Sequence, residues 1–391
     1  MHDIDILKLP YHPNPYPDYK RLRQHGSLFW HPSLALWIAT DAYATEAVLN
    51  SSDCVVRPPQ ELVPKAIATS SAGEVFAKLI RMNEGPAHQT AKAAIMQALV
   101  NLDAEHLQTL LSQEEYFVSE LGDISAWSTQ ELNQWMMSVP VRTMAMALGF
   151  DRGLSHNIAE LIAKFVACLS PLSQAEQLAA ASEAARTLLE HMRELMAASS
   201  QSPQGFVAAY LQAAQEHAWQ DQVAWAANLL GLLSQTYEAT AALLGNCLVH
   251  AKSLDADRRR ELALSDTQRR RFVEDIARRD PAIQNTRRFV QTDCVLQWQA
   301  ADRVMQVELR QGQAILLLLA SANHSGADTQ LGFSHARHRC PGQMQAISIV
   351  GEAMRFALTQ FPHRLWEEMQ LSYQPSMNAR IPVFTVAKEM K

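Results

Sequence analysis

The sequence predicts a mainly helical protein that forms a single domain over residues 1–391. The chain is 48% hydrophobic, which is enough to bury a large core, and it contains no Gly/Ser-rich linker or internal repeat. Residues from Asp221 to Leu254 lack proline and are apolar nearly all round, as is typical of a buried central helix. Residues 342–358 carry apolar side chains at helical spacing and predict an amphipathic helix.

Charge and composition restrict the class of protein. A net charge of −6 argues against nucleic acid as the main partner, and we interpret the basic residues 258–260 and 269–271 as a solvated helix face. The N-terminal segment has neither the basic region nor the apolar core of a signal peptide. No apolar run approaches the ~20 residues that span a bilayer. We therefore expect a soluble, cytoplasmic protein without a membrane partner.

Cys340 lies between a basic segment, residues 337–339, and the predicted amphipathic helix, which we expect to begin at this cysteine. The free N–H groups and the positive dipole end of a helix favour a negatively charged sulfur. Pro341 suits a first helical turn, and the nearby positive charges favour ionisation further. We therefore expect a thiolate that ligates a metal. The competing interpretation is an inert buried cysteine.

The other cysteines point away from zinc and iron–sulfur sites. They are far apart, with no C-x-x-C pair and no Cys/His cluster at zinc spacing: Cys54, Cys168, Cys247 and Cys294. A haem iron requires a single cysteine from the protein, so this ligation remains open.

The segment FSHARHRCPG, residues 333–342, resembles the haem-binding loop of the cytochrome P-450 superfamily, F-G-x-G-x-H/R-x-C-x-G. The matching positions are Phe333, His338, Cys340 and Gly342. Ser334 and Ala336 replace the two internal glycines. The resemblance implies a mainly α fold with small β-sheets. It also implies haem b (iron protoporphyrin IX) bound between the central helix and the cysteine loop, with Cys340 as the iron ligand.

Residues 273–281, VEDIARRDP, resemble the family's E-x-x-R helix, with Asp275 at the glutamate position and Arg278 at the arginine. Residues three apart share a helix face, so the two side chains can pair, although a solvated surface pair is the competing interpretation. Pro281 predicts the end of this helix. Only nine residues, HSGADTQLG, separate Asn323 from Phe333, where the family has a longer meander. The resemblance therefore implies that the ionic interactions that stabilise this part of the family's fold are weaker here. It also implies an altered surface for binding a ferredoxin or flavodoxin electron donor.

Three further positions resemble the family's haem propionate ligands. Residues 284–288 are similar to the segment whose arginine binds a propionate, which assigns this role to Arg288. Residues 83–92 resemble the H-x-x-x-R site, with His88 in place and Lys92 where arginine is usual. Lysine keeps the charge but loses the bidentate fork. The family's first helix and strands resemble residues 14–49, and its later strands resemble residues 311–324 and 371–382.

The central helix departs from the family's A/G-G-x-D/E-T-T motif. The aligned residues are Gln235, Thr236, Glu238, Ala239 and Thr240. In the family, the first threonine hydroxyl helps to deliver the protons that cleave the O–O bond, and alanine cannot do so. Three outcomes are open. Glu238 relays protons while a water or a substrate hydroxyl fills the gap; Gln235 presents its amide to the distal ligand rather than to helix backbone; or ordinary oxygen activation is lost. Thr236 is expected to bond back to the preceding turn.

The resemblance implies a haem-thiolate monooxygenase that oxidises a small or medium organic molecule, such as a secondary-metabolite intermediate. Its substrate would lie near residues 55–87, Gln235, Ala239 and Ile283. One alternative is a haem-thiolate enzyme with other chemistry: a peroxygenase, a dehydration or a rearrangement. Another is a degenerate homologue that serves as a binding or recruitment module. The loss of the threonine favours that module, whereas the retention of Cys340 argues against it.

Overall fold

The computed structural model describes residues 4–102, 104–112, 122–202, 204–300, 303–326 and 330–386. Helices account for most of them: α1 Tyr16–His25, α2 Ala42–Asn50, α3 Ser71–Lys78, α4 Gly85–Leu99, α5 Ala104–Ser112, α6 Thr129–Leu148, α7 Arg152–Phe165, α8 Ala175–Gln201, α9 Gly205–Glu216, α10 Gln222–Lys252, α11 Ala256–Leu264, α12 Asp266–Arg279, α13 Leu319–Asn323, α14 Gln343–Gln360 and α15 His363–Glu368. The strands are β1 Leu28–His31, β2 Leu36–Ala39, β3 Cys54–Val55, β4 Thr286–Val290, β5 Cys294–Ala300, β6 Arg303–Leu309, β7 Ala314–Leu317, β8 Gln370–Tyr373 and β9 Pro382–Thr385. The predicted mainly helical class with small sheets is confirmed.

The central helix α10 is 31 residues long and follows the predicted range of Asp221 to Leu254. Asp221 caps its N-terminus by accepting a hydrogen bond from the backbone N–H of Ala224 at 3.0 Å. Its N-terminal half packs into one hydrophobic cluster through Leu229 and Leu230, and its C-terminal half packs into another through Leu244. The two halves of the core therefore meet along a single helix.

A five-stranded sheet in the order β1-β2-β7-β4-β3 holds the N-terminal segment against the strand that precedes the cysteine loop. Strands β2 and β7 run parallel, with Trp37 opposite Ile315, and the other neighbours run antiparallel. Arg288 lies in β4, also opposite Ile315. Strands β5–β6 and β8–β9 form two separate hairpin sheets, and the pairing of β8 with β9 confirms the predicted closing strands.

The acid–base pair of the E-x-x-R segment lies on the surface. Asp275 Oδ1 accepts a hydrogen bond from Arg278 at 3.2 Å, and both side chains are more than 40% exposed. Helix α12 ends at Arg279, just before Pro281, as predicted. The predicted short meander includes residues 327–329, which lie outside the described part of the chain.

The interpretation of residues 269–271 as a solvated face is wrong for Arg269. This side chain is only 2% exposed and pairs with the buried carboxylate of Glu352 in α14 at 3.2 Å. The amphipathic stripe of α12 places Arg269 against α14, and spacing alone does not show that a charged residue occupies the buried stripe. In the described parts of the chain, no helix combines the length and the apolar composition needed to cross a membrane.

Candidate active site

A cavity of about 380 Å³ lies between α10 and the loop that precedes α14. It is lined by nine of the ten predicted site residues: His88, Lys92, Gln235, Glu238, Ala239, Thr240, Phe333, His338 and Cys340. Arg288 is buried but is not among the lining residues. Ile283, a candidate for substrate contact, also lines the cavity. The tertiary structure thus brings together residues that are up to 252 positions apart, from His88 to Cys340.

The backbone of the cysteine loop has a conformation that favours glycine at two positions occupied by other residues. Ser334 has a φ of 61° and Ala336 a φ of 51°, both in the left-handed region that favours glycine. These are the two positions at which the sequence departs from the loop pattern. The loop closes when the backbone N–H of Cys340 donates to the carbonyl oxygen of Phe333 at 2.8 Å.

The helix after the cysteine begins later than predicted, and burial opposes ionisation of Cys340. Helix α14 starts at Gln343, with Gly342 as its N-cap. Cys340 therefore precedes the helix and lies outside its first turn. Burial raises the pKa of the Cys340 thiol; the backbone N–H of Gly342 and the charges of Lys92 and Arg339 oppose this shift but do not outweigh it. In the protein without a metal, desolvation thus exceeds the attraction of the nearby charges.

Buried donors without partners surround the cysteine side of the cavity. His88 Nδ1 and Arg288 Nε are shielded from solvent and have no hydrogen-bond partner among the described residues. The rings of His88 and His338 lie 4.5 Å apart. Burial, together with the neighbouring His338 and Lys92, lowers the pKa of His88 to about 4. Burial also lowers the pKa of Arg288 to about 10. Unpaired buried donors of this kind suit an anionic group.

Arg337 fixes the cysteine loop to the rest of the protein, a role that the sequence did not reveal. Its guanidinium donates to Glu84 at 2.9 Å and to the backbone carbonyls of Ser51 and Cys54 at 2.9 Å each. Burial by itself would raise the pKa of Glu84. Contacts with His338, at 3.0 Å, and with Arg337 outweigh burial and lower this pKa to about 2. Lys92 Nζ donates to the carbonyl oxygen of Arg337.

On the opposite wall, the polar side chains of α10 are largely committed to their own helix. Gln235 Nε2 donates to the carbonyl oxygen of Gly231 at 3.0 Å, and Thr236 Oγ1 donates to that of Leu232 at 2.7 Å. The predicted back-bond of Thr236 is confirmed, and Gln235 follows the interpretation in which its amide bonds helix backbone. Burial raises the pKa of Glu238, although the charge of Arg81 opposes the shift.

Solved structures with the same architecture identify the fold. A structure of P450BioI in complex with a hexadec-9Z-enoic acid-ligated acyl carrier protein superposes with a TM-score of 0.72 at 17% identity, covering 97% of this chain and 98% of that one. The epothilone B-bound cytochrome P450epoK gives 0.73 at 14% identity, covering 96% and 97%. This chain has the cytochrome P-450 fold. The P-450 heme domain of Tepidiphilus thermophilus also gives 0.73 at 17% identity, covering 98% and 95%.

Comparison of whole sequences gives no match for this chain. No model of a known protein family matches the sequence, and no curated protein is significantly similar to it. The fold expected from the loop motif and the central helix is nevertheless confirmed. The predicted substrate region, residues 55–87, includes Arg81 and Glu84, but the sequence did not single out these two residues or the contacts of Arg337, because an isolated charged residue carries no signal of its burial or of its partners.

Proposed function

We propose that this protein is a haem-thiolate monooxygenase that oxidises a small or medium organic molecule, such as a secondary-metabolite intermediate. One observation carries the proposal: the sulfur of Cys340 lines a buried cavity whose other wall is the central helix α10. Such an arrangement leaves space for a planar cofactor with a substrate beyond it. The structures of the same fold that are bound to epothilone B or to a fatty acyl carrier protein support an organic substrate.

The residues of the cavity fit haem b. Cys340 would ligate the iron, whose charge would offset the desolvation that raises the pKa of the free thiol. The buried, unpaired nitrogens of His88 and Arg288, with Lys92 and His338, would hold the propionate groups. When bound through a thiolate, haem supplies the activation of dioxygen for insertion of an oxygen atom into the substrate.

On the substrate side, the chain provides few groups that can move a proton. Ala239 has no polar atom, and the donors of Gln235 and Thr236 are bonded to helix backbone. Burial raises the pKa of Glu238, and the charge of Arg81 opposes this shift. The hydroxyl of Thr240 lines the cavity and has no protein partner among the described residues. We infer that Glu238 and Thr240 deliver protons through a water or a substrate hydroxyl.

The absorbance spectrum of the reduced protein under carbon monoxide tests the cofactor assignment. We expect the wild-type protein, reconstituted with haem, to show the red-shifted main band of a thiolate-bound haem. Cys340→Ser should lose this band, whereas Cys294→Ser, which changes a cysteine outside the cavity, should keep it. A protein that stays colourless with haem, or a wild-type band typical of histidine ligation, would overturn the proposal.

A second candidate function follows from the committed donors of α10. A peroxygenase, a dehydratase or a rearrangement enzyme does not need the dioxygen-linked proton delivery that Ala239 has lost. Turnover with peroxide, but never with a ferredoxin or flavodoxin and its reductase, would favour this candidate. Turnover with either electron donor would support the monooxygenase, for which we propose a cytoplasmic location.

A further inference from the structure

Arg81 is a half-buried cation on the substrate side of the cavity, and no described residue pairs with it. It lies in the short helical turn Ile80–Met82, after α3, and lines the cavity together with Glu238. Its Nε is shielded from solvent and has no hydrogen-bond partner among the described residues. None of the described carboxylates forms an ion pair with it within 4.0 Å. A guanidinium in this state is unfavourable unless an anion joins it.

The turn that carries Arg81 is fixed to the central helix by one side chain. Asn228 of α10 accepts a hydrogen bond from the backbone N–H of Ile80 and donates to the carbonyl oxygen of Lys78, each at 2.9 Å. The ammonium of Lys78 also pairs with Asp221 at 2.7 Å. The backbone beside Arg81 is therefore fixed to α10 before any ligand arrives, which lowers the entropic cost of binding.

The surrounding wall is mostly apolar. Residues that line the cavity near α10 and α7 include Met144, Val166, Leu169, Leu232 and Ile349. Glu238 is the single carboxylate among the described lining residues. Burial raises the pKa of Glu238 while the charge of Arg81 opposes the shift, and the two side chains form no ion pair within 4.0 Å. A ligand with an apolar body and one anionic end matches this distribution of charge.

We propose that Arg81 binds the carboxylate of the substrate, so that the enzyme acts on organic acids with an apolar body rather than on neutral molecules. The inference rests on the proposed function, because it assigns the substrate class of the same cavity. A guanidinium binds a carboxylate through two parallel N–H···O bonds, which fixes the orientation of the ligand as well as its position. The apolar part of the acid would then contact the wall formed by residues such as Leu169 and Leu232.

Calorimetric binding to the haem-loaded protein tests this assignment. The probes are decanoic, phenylacetic and indole-3-acetic acids, each compared with its methyl ester. We expect at least one acid to bind more tightly than its ester, and Arg81→Gln to weaken that acid by about 10- to 100-fold while leaving the ester unchanged. Arg81→Lys should retain part of the preference, since it keeps the charge. Arg186→Gln, an exposed residue of α8, is the matched control.

Two outcomes would overturn the inference: none of the acids binds better than its ester, or Arg81→Gln weakens the acid and the ester alike. The carbon monoxide spectrum, recorded on the same preparations, separates this failure from a failure of the proposed function. A normal thiolate spectrum without acid preference rejects only the role of Arg81. Acid preference in a protein that lacks a thiolate-bound haem rejects only the monooxygenase.

A pair of asparagine variants separates the position of Arg81 from general stability. Asn228→Ala removes the two hydrogen bonds that hold the turn. Asn133 of α6 makes a similar pair of bonds: it accepts from the backbone N–H of Phe384 at 2.9 Å and donates to its carbonyl oxygen at 2.8 Å. Asn133→Ala removes that pair. Both should lower the melting temperature. Only Asn228→Ala should weaken acid binding, and equal losses in the two variants would contradict the positioning role.

Discussion

Gln235 donates its side-chain amide to the carbonyl oxygen of Gly231, one turn earlier in α10, at 3.0 Å. The amide therefore lines the cavity while its donor is already bonded. With Ala239 one turn later, the cavity-lining residues from 235 to 239 offer no free side-chain hydroxyl or amide donor. Proton delivery then depends on Glu238 and Thr240.

Ala239→Thr should restore a hydroxyl where the family resemblance expects one. We predict a larger fraction of the supplied electrons in product and less released as peroxide, since proton delivery becomes more direct. Product formed per reductant consumed is the measurement. Thr240→Val should act in the opposite direction. If both variants leave this ratio unchanged, α10 does not control proton delivery.

The strained cysteine loop predicts a gain in stability from glycine. Ser334→Gly and Ala336→Gly should each raise the free energy of unfolding by about 1 kcal/mol, because both residues adopt the left-handed conformation. His335, between them, has a φ of −143°, so His335→Gly should instead lower stability. Chemical denaturation of the three variants checks the contrast. Stabilisation by all three, or by none, would contradict the strain.

Acid should destabilise the protein without haem through His88. Its folded-state pKa of about 4 lies below the ordinary 6.5, so between these pH values the unfolded chain binds a proton that the folded chain does not. The free energy of unfolding should therefore fall as pH decreases through this window, by roughly 3 kcal/mol in total. Denaturation curves at several pH values provide the measurement. His88→Gln should flatten the profile, while the exposed His363→Gln should not.

Two carboxylates that pair with arginine, one at the surface and one buried, should differ in their effect on stability. Asp275→Ala removes a surface pair and should cost less than about 1 kcal/mol. Glu352→Ala leaves the guanidinium of Arg269, which is 2% exposed, without its buried carboxylate, and should cost about 3 kcal/mol. Melting and denaturation of both variants decide the order. A larger loss of stability from Asp275→Ala than from Glu352→Ala would show that the E-x-x-R pair still stabilises the fold.

Much of the candidate site was predictable because its residues lie in recognisable local patterns. The cysteine loop, the central helix and the His88 segment each have a motif, and the structure places them around one cavity. The start of α14 was predicted wrongly: the helix begins at Gln343, three residues after Cys340. The contacts of Arg337 were missed because its partners are distant in sequence, and Arg81 was not singled out because the cavity that it lines forms only on folding.

The sequence by itself determined the helical class, the long apolar helix and the cysteine loop, because periodicity and short motifs act between neighbouring residues. It also showed that Ser334 and Ala336 stand where glycines are usual. Only the tertiary structure decided which charges are buried, which donors lack partners and which pairs face solvent. Burial and pairing depend on segments that meet only after folding, and these determine the pKa values and the electrostatics of the cavity.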